Sequence, residues 1–373
     1  MKRAQALGVR TWIEIDRRAL RSNLAEFSRR ARPAGIMAVV KSNAYGHGLS
    51  LVARLLARQT FRGEKFGGWF GVDSIVEALR LRRDGIKNSI LVFGYTLSAR
   101  FSDAVRGGIT LTISSFEGLA ALRRARLRPA FHLKLDTGMH RQGFPEHEIP
   151  KLAALLAHWR LRPDGAYSHY AFPENARDSR MQRDCFERCI RGLARAGIRP
   201  RIVHMSATGG VWERRDRYPM VRIGFGLFGY LRRPVAKNPL QPVLTWKTVV
   251  SEVKRVKRGE RIGYDFTEQF RRDSVIAILP IGYWHGFDRG LSGVGEVLVR
   301  GKRAKVMGRV SMDMTAVDVT NIRGVAIGDE AVLIGRQGSE FVGADEIAEK
   351  IRTTAYEVLT RINPLIRRVI RER

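Results

Sequence analysis

Short apolar runs alternate with longer amphipathic segments through the first two thirds of the chain. The segments between the runs carry helix-start signals, with capping-box patterns at 74–77 and 114–117. Buried parallel strands are typically short, continuous apolar runs. Eight such runs lie at 35–41, 69–72, 90–93, 109–113, 130–135, 165–168, 202–204 and 221–225. Eight β/α repeats predict an α/β fold of the (β/α)8 TIM barrel type.

Beyond about residue 235 the pattern changes to short strands and Gly-rich turns. We expect a long strand at 243–256 and one clear helix at 344–352. Further strands are expected at 274–281, 295–299, 304–307, 315–319 and 330–334. The pattern thus predicts a barrel over 1–235, a junction near Leu231–Pro234 and a mostly-β C-terminal domain over 236–373. The strand at about 11–16 is a candidate for packing with the second domain.

Composition favours a folded chain without a membrane segment. Hydrophobic residues make up 44% of the 373 residues, and no apolar stretch reaches the roughly 18 residues of a transmembrane helix. The segment Met1–Arg10 is basic but lacks the apolar core of a signal peptide. We therefore predict a cytoplasmic protein with no membrane partner.

The net charge of +31 is high enough to raise the question of nucleic acid. Of the 67 basic residues, 13 are lysine and 54 are arginine, and they are scattered along the chain. Without zinc-finger spacing or an RNA-binding aromatic motif, we interpret them as a compositional bias, with no specific nucleic-acid partner. The two cysteines, Cys185 and Cys189, have helical spacing and no accompanying ligand set, so no metal site is predicted.

Lys41 is the first candidate for chemistry. Barrel active sites lie at the C-terminal ends of the strands, and Lys41 directly follows the apolar run at 35–40. Partial desolvation favours the neutral, nucleophilic form of an amine. The small polar loop after it, Ser42–Gly48, can place the phenol of Tyr45 and backbone amides beside a phosphate. From position alone, an ordinary lysine at the barrel rim is the alternative.

The segment Ala38–Gly48 closely resembles the pyridoxal-phosphate attachment segment of alanine racemases. Six further matching segments follow in that family's order, at 134–141, 168–171, 220–224, 263–265, 308–313 and 356–359. The matches run from about Trp12 to Val369. The resemblance implies a barrel plus a C-terminal β domain, pyridoxal 5'-phosphate as cofactor and a head-to-tail homodimer with shared active sites. It also implies an isomerase that interconverts L- and D-alanine and supplies D-alanine for peptidoglycan.

Inversion of an amino acid needs an acid/base group on each face of a planar intermediate. The resemblance assigns these roles to Lys41 and Tyr264, the latter from the partner subunit. A phenol needs a neighbouring cation or hydrogen-bond donor to act as a base. His169 and Arg222 are the family's network behind the tyrosine, and Arg222 also faces the pyridine nitrogen. Because arginine only donates hydrogen bonds, that nitrogen should stay unprotonated.

The remaining roles that the resemblance implies concern binding. The phosphate is assigned to Tyr45, Thr208, Tyr356 and backbone amides around Gly224 and Phe225. The substrate carboxylate is assigned to Arg141 and to the Met312 amide, with Lys134, Asp313 and Tyr283 in support. Lys134 is expected either as a carbamate that orients Arg141 or as an unmodified lysine.

Some positions depart from the family's usual pattern. Ala207 replaces a frequent asparagine and removes one amide, while Thr208 keeps the hydroxyl of a frequent serine. Trp284 and His285 stand where Ala-Asp is usual, so substrate access or dimer packing is expected to differ, whereas Ile370 in place of a terminal tyrosine should matter little.

Other functions stay open at this point. A broader racemase acting on serine or lysine would differ in the pocket around Tyr283 and Tyr356. A decarboxylase on the same plan uses a cysteine in the C-terminal domain, but both cysteines here fall in the barrel region. A non-enzymatic cofactor carrier resembles the barrel alone.

Overall fold

The computed structural model describes residues 8–61, 64–65, 68–216, 218–233, 235 and 237–371. Residues 1–7, most of the basic N-terminal segment that lacks a signal-peptide core, lie outside the described residues. Pro234 and Ala236 at the predicted junction lie outside them as well. The chain forms two compact units. The barrel unit contains Leu20–Ala44 and Leu49–Gln241, and the β unit contains Met1–Ala19, Tyr45–Gly48 and Pro242–Arg373.

Eight parallel strands close into a barrel. Each pairs with the next along the chain, and the last pairs back with the first, with Arg222 opposite Met37. The strands are Gly35–Val39, Trp69–Val72, Ile90–Val92, Ile109–Ile113, Phe131–Asp136, Gly165–Tyr167, Ile202–His204 and Met220–Ile223. Most of their side chains are buried, as expected for strands covered on both faces. The predicted TIM barrel is confirmed.

Helices precede the first of these strands and connect each strand to the next. They are Arg17–Ala31, Leu49–Ala57, Ile75–Arg83, Phe101–Arg106, Phe116–Arg124, Ile149–His158, Ala176–Arg195 and Thr208–Trp212. One begins at the predicted serine, because the Ser74 hydroxyl accepts from the Glu77 amide. A second begins one residue later than the pattern at 114–117 indicated, because Ser115 rather than Ser114 is the cap and accepts from the Gly118 amide. Such caps satisfy amides that have no partner within the helix. Among the described residues, no helix combines the length and apolar character needed to cross a bilayer.

The β unit is built on a ten-stranded sheet. Its strands are Thr11–Asp16, Leu244–Val249, Glu252–Val256, Ser274–Leu279, Glu296–Val299, Lys302–Met307, Thr315–Asp318, Glu330–Gln337, Glu340–Val342 and Arg367–Arg371. The N-terminal strand lies between Leu244–Val249, to which it is antiparallel, and Arg367–Arg371, to which it is parallel. The helices of this unit are Ala344–Lys350 and Ala355–Thr360.

Two expectations for this unit were wrong. The single long strand at 243–256 is two strands, because the Val250 amide bonds to Asp329 and the Ser251 amide to Ile278, so the chain changes pairing partner there. The second helix, Ala355–Thr360, was not predicted. Its six residues are too few to display a helical repeat of apolar positions.

Candidate active site

Lys41 follows the first barrel strand and stands at the C-terminal mouth of the barrel. Its Nζ lies 3.4 Å from Asp73 Oδ1, and its side chain remains 37% exposed. Asp73 follows the second strand, and its amide donates to the Glu77 carboxylate at 2.9 Å. The amine is thus held by one partly exposed carboxylate and is open to a ligand.

The residues after Lys41 form a turn of left-handed helix. Ser42, Asn43, Ala44 and Tyr45 have φ between 51° and 56°, a conformation that costs roughly 1–2 kcal/mol per L-residue. Two hydrogen bonds of Asn43 offset this cost. Its backbone amide donates to the Glu77 carboxylate, and its side-chain oxygen accepts from the Leu49 backbone amide. Sustained strain of this kind concentrates at functional sites.

Tyr45 and Tyr356 come together within the β unit. Their ring centroids are 6.0 Å apart, although 310 positions separate them in the chain. Burial raises the pKa of Tyr45, so its phenol stays protonated and can donate to an anion. The two tyrosines assigned to the phosphate are therefore neighbours.

Arg222 is the centre of a buried network in the barrel unit. Its guanidinium lies 2.9 Å from His204 Nδ1 and 3.1 Å from His169 Nδ1. It also donates to the carbonyls of Ser168 and Met205, both at 2.7 Å. Because arginine only donates, both Nδ1 atoms must accept, and each imidazole then carries its hydrogen on Nε2.

The network continues to a further histidine. His204 Nε2 is 3.1 Å from His132 Nδ1, so His204 donates and His132 accepts. Burial lowers the pKa of His132 to about 3 and holds those of His169 and His204 well below the ordinary value, with the Arg222 cation acting in the same direction. All three imidazoles are therefore neutral at neutral pH. His132 and His204 were not predicted as site residues.

Cations converge on this network. After burial, the causes that lower the pKa of His169 are the charges of Arg222, Arg141, Lys134 and Lys41, in that order. Burial, with Arg222 next, also lowers the pKa of Lys134 to about 7. These cations fit a ligand that carries a phosphate, a phenolic oxygen and a carboxylate. The side chains present therefore fit pyridoxal phosphate with an amino acid.

The loops after the seventh and eighth barrel strands meet at Thr208. The amide of Gly226 donates to the Thr208 hydroxyl at 3.3 Å. A Cβ on Gly226 would stand 2.8 Å from Thr208 Cγ2, so only glycine allows this approach. Gly224 and Phe225 open the same turn, Phe225–Phe228. The barrel residues assigned to the phosphate are thus brought together, at the usual location in barrel enzymes.

The β unit presents its candidate residues on exposed turns. Tyr264 is 69% exposed and Met312 is 55% exposed. The Tyr283 amide donates to Ser311 and the Trp284 amide to Met312, both at 3.0 Å. These bonds join the Tyr283 turn to the Met312 segment.

His285 has a local structural role. Its Nδ1 accepts from the Gly282 amide at 3.2 Å and lies 3.9 Å from Asp313. Burial lowers the pKa of His285, which favours the neutral ring that can accept this bond.

A barrel with an accessible lysine and converging cations at its mouth, followed by a separate β unit, defines a barrel-type pyridoxal-phosphate enzyme. The family model "Alanine racemase, N-terminal domain" matches residues 15–232, and "Alanine racemase, C-terminal domain" matches residues 243–370. The chain belongs to the alanine racemase family, whose members are isomerases that depend on pyridoxal phosphate.

Individual relatives agree with the family models. The chain is 38% identical to an alanine racemase of Symbiobacterium thermophilum, over 95% of each chain. It is 34% identical to that of Methylacidiphilum infernorum, over 96% of this chain and 92% of the other. A Bacillus anthracis alanine racemase solved with bound L-Ala-P superposes with a TM-score of 0.90 at 30% identity, covering 97% of this chain and 95% of that one.

Proposed function

We propose that this chain interconverts L-alanine and D-alanine, with pyridoxal phosphate attached to Lys41. The observation that carries the proposal is the placement of the Lys41 amine at the mouth of a barrel where several cations, Arg222 foremost, act on the same buried histidine. Relatives named alanine racemase, matched along nearly their whole length, support the choice of substrate. Pyridoxal phosphate supplies delocalisation of the electron pair that remains when the α-proton of the amino acid is removed.

The protein's own groups hold and move the proton. Lys41 Nζ takes or returns it on one face, and the Tyr264 oxygen does so on the other. His169 is neutral, and Arg222 fixes its hydrogen on Nε2. We propose that this N–H donates to the Tyr264 oxygen, which would stabilise the phenolate form.

Arg222 has a second proposed role at the cofactor. Burial lowers the pKa of Arg222 only to about 10, so it stays a cation and a donor at neutral pH. Placed against the pyridine nitrogen of the bound cofactor, Arg222 would keep that atom unprotonated and would limit electron withdrawal by the ring. Limited electron withdrawal would favour prompt return of the proton to the substrate Cα over side reactions.

The site described above contains two groups of neighbouring residues that can bind a phosphate, one in the β unit and one in the barrel unit. We assign the phosphate to Tyr45 and Tyr356 together with Thr208 and the backbone around Gly224 and Phe225. The substrate carboxylate is assigned to Arg141 and the Met312 amide, with Tyr283 and Asp313 in support.

A head-to-tail homodimer with shared active sites is part of the proposal. The β unit exposes several large apolar side chains that a partner subunit would cover. They are Tyr264, Phe266, Tyr283, Trp284, Met312 and Met314, each between 43% and 69% exposed. We further propose a cytoplasmic enzyme that supplies D-alanine for peptidoglycan, the use that the family resemblance implies.

A racemisation assay on the purified protein tests the proposal. L-alanine, L-serine and L-lysine are supplied separately with pyridoxal phosphate, and the D-enantiomers are quantified by chiral chromatography. We expect L-alanine to give the highest kcat/KM. Fast turnover of serine or lysine beside negligible turnover of alanine would show that alanine is not the preferred substrate. No turnover of any of the three amino acids would refute the proposed function.

Lys134 provides a pH-dependent prediction. Carbamate formation needs a neutral amine, and burial lowers the pKa of Lys134 to about 7. Labelled CO2 should therefore give a carbamate signal in NMR that increases from about pH 6 to about pH 8, as the amine loses its proton. Lys134→Ala should remove the signal and Lys151→Ala, an exposed lysine, should keep it. A signal that survives Lys134→Ala contradicts the assignment.

A further inference from the structure

Arg368, in the C-terminal strand, directs its whole guanidinium at backbone carbonyls. Its Nε and one terminal nitrogen donate to the Gly46 carbonyl at 3.2 and 2.9 Å. The other terminal nitrogen donates to Asn363 and Ile366 at 2.8 and 2.5 Å. A fifth bond, to Ile362, measures 3.4 Å. An arginine has five N–H donors, so the group is saturated.

This cation is balanced by peptide dipoles. Within the described residues, no carboxylate pairs with Arg368, and burial lowers its pKa to about 10. Ile362 and Asn363 lie in the segment that follows the helix Ala355–Thr360 and its cap Arg361, so the cation is bound by peptide carbonyls of an irregular segment. A guanidinium fixed in this way has a defined position, because moving it would leave several polar groups unpaired.

Gly46 is enclosed on its other side by the same C-terminal segment. It has φ of +84°, and a Cβ there would overlap the Leu359 carbonyl oxygen. The Gly46 backbone thus lies between Leu359 and Arg368, next to the Tyr45–Tyr356 ring contact. Gly46 is also joined to Lys41 through the left-handed turn of Ser42–Tyr45.

We propose that Arg368 is a positioning residue for the cofactor lysine, holding the end of the strained turn that begins there. Two of its five hydrogen bonds fix the Gly46 carbonyl, and a left-handed turn of ordinary residues needs such external support. The inference rests on the proposed function, because Lys41 is the attachment point only if that proposal holds. Losing Arg368 should release the turn, weaken pyridoxal phosphate binding and disturb the Tyr45 contact.

A purely structural role for Arg368 would be limited to fastening the C-terminal strand. Three of its hydrogen bonds stay within the segment 362–366. That role predicts lower stability without a specific effect on the turn. The two roles therefore predict different behaviour of the backbone at 42–48 in variants that lose the same amount of stability.

The test compares Arg368→Gln and Arg368→Lys with two controls. Arg367→Gln changes the exposed neighbour on the same strand, and Val332→Ala creates a cavity in the core of the same sheet. For each protein we measure the melting temperature, the Kd of pyridoxal phosphate and amide hydrogen exchange at 42–48 without cofactor. Arg368→Gln should raise the Kd by roughly 10- to 100-fold, as expected if cofactor binding loses the equivalent of one hydrogen bond from a charged donor, and speed exchange at 42–48. Arg368→Lys should fall in between, and both controls should stay near wild type in these two readouts.

Gly46→Ala displaces the Gly46 backbone from its other side, where the new Cβ would meet the Leu359 carbonyl oxygen, and should reproduce both effects if the Arg368 variants do not fold. Equal Kd and exchange rates in Arg368→Gln and Val332→Ala, at matched melting temperature, would overturn the inference. If the wild-type protein neither binds pyridoxal phosphate nor racemises alanine, the proposed function fails. Hydrogen exchange in the cofactor-free proteins still decides whether Arg368 holds the turn.

Discussion

Lys41→Ala is expected to abolish racemisation, lowering kcat by at least about 10³-fold, because one side chain both attaches the cofactor and carries a proton. The Lys41 amine pairs with the Asp73 carboxylate at 3.4 Å, and its side chain is partly exposed. Its removal should leave the barrel folded. The activity loss can then be attributed to chemistry.

The measurement combines activity with covalent labelling. After incubation with pyridoxal phosphate and reduction with borohydride, the wild-type protein should gain one cofactor mass on the peptide containing Lys41. Lys41→Ala should gain none there, while Lys87→Ala, at an exposed lysine of the same unit, should behave as wild type. Labelling of another lysine at full activity in Lys41→Ala would assign the attachment elsewhere.

The barrel strands were predictable because burial on both faces leaves a direct trace in the sequence. A parallel strand covered by helices outside and side chains inside is a continuous apolar run. The run at 35–41 corresponds to the strand Gly35–Val39. Their C-terminal bounds differ because apolar character reports burial, whereas the strand is bounded by regular backbone pairing. Val40 is buried, and its amide still donates to the Gly71 carbonyl of the neighbouring strand at 2.8 Å, although the strand ends at Val39.

The left-handed turn after Lys41 could not be predicted from local preferences. None of its four residues is glycine, and the conformation is supported by distant groups such as Glu77. The same holds for the assignment of Tyr45–Gly48 to the β unit, which depends on the C-terminal segment. Both features arise from contacts between parts of the chain that are far apart in sequence.

The histidines behind Arg222 show a second limit on what the sequence alone can predict. His132 and His204 lie within strands, where an isolated histidine is indistinguishable from an ordinary core residue. Their role depends on the direction of a hydrogen-bond chain that starts at Arg222. One signal was available: His132 precedes Lys134 by two positions, so both side chains point to the same face of the strand.

Tyr264→Phe is expected to lower kcat/KM for L-alanine and for D-alanine by the same factor, roughly 10² to 10⁴. The equilibrium constant between enantiomers is one, so a catalyst cannot lose one direction alone. The substitution removes only the phenolic oxygen from a side chain that is 69% exposed. The turn itself is held by Gly263, with φ of +74°, and by the Asp265–Arg309 ion pair at 2.9 Å. Its fold should therefore persist.

Exchange of the α-proton with deuterated solvent separates the two acid/base groups, because exchange without inversion needs only one of them. In Tyr264→Phe, the enantiomer whose α-proton faces Lys41 should still exchange, while the other should exchange as slowly as it inverts. Tyr95→Phe, at a tyrosine that is 76% exposed, is the matched control and should leave all rates unchanged. Equal loss of exchange for both enantiomers would mean that Tyr264 positions the substrate, whereas undiminished inversion in both directions would exclude the phenol from proton transfer. The asymmetry between exchange and inversion thus reports on whether two opposed groups, rather than one mobile group, carry the proton.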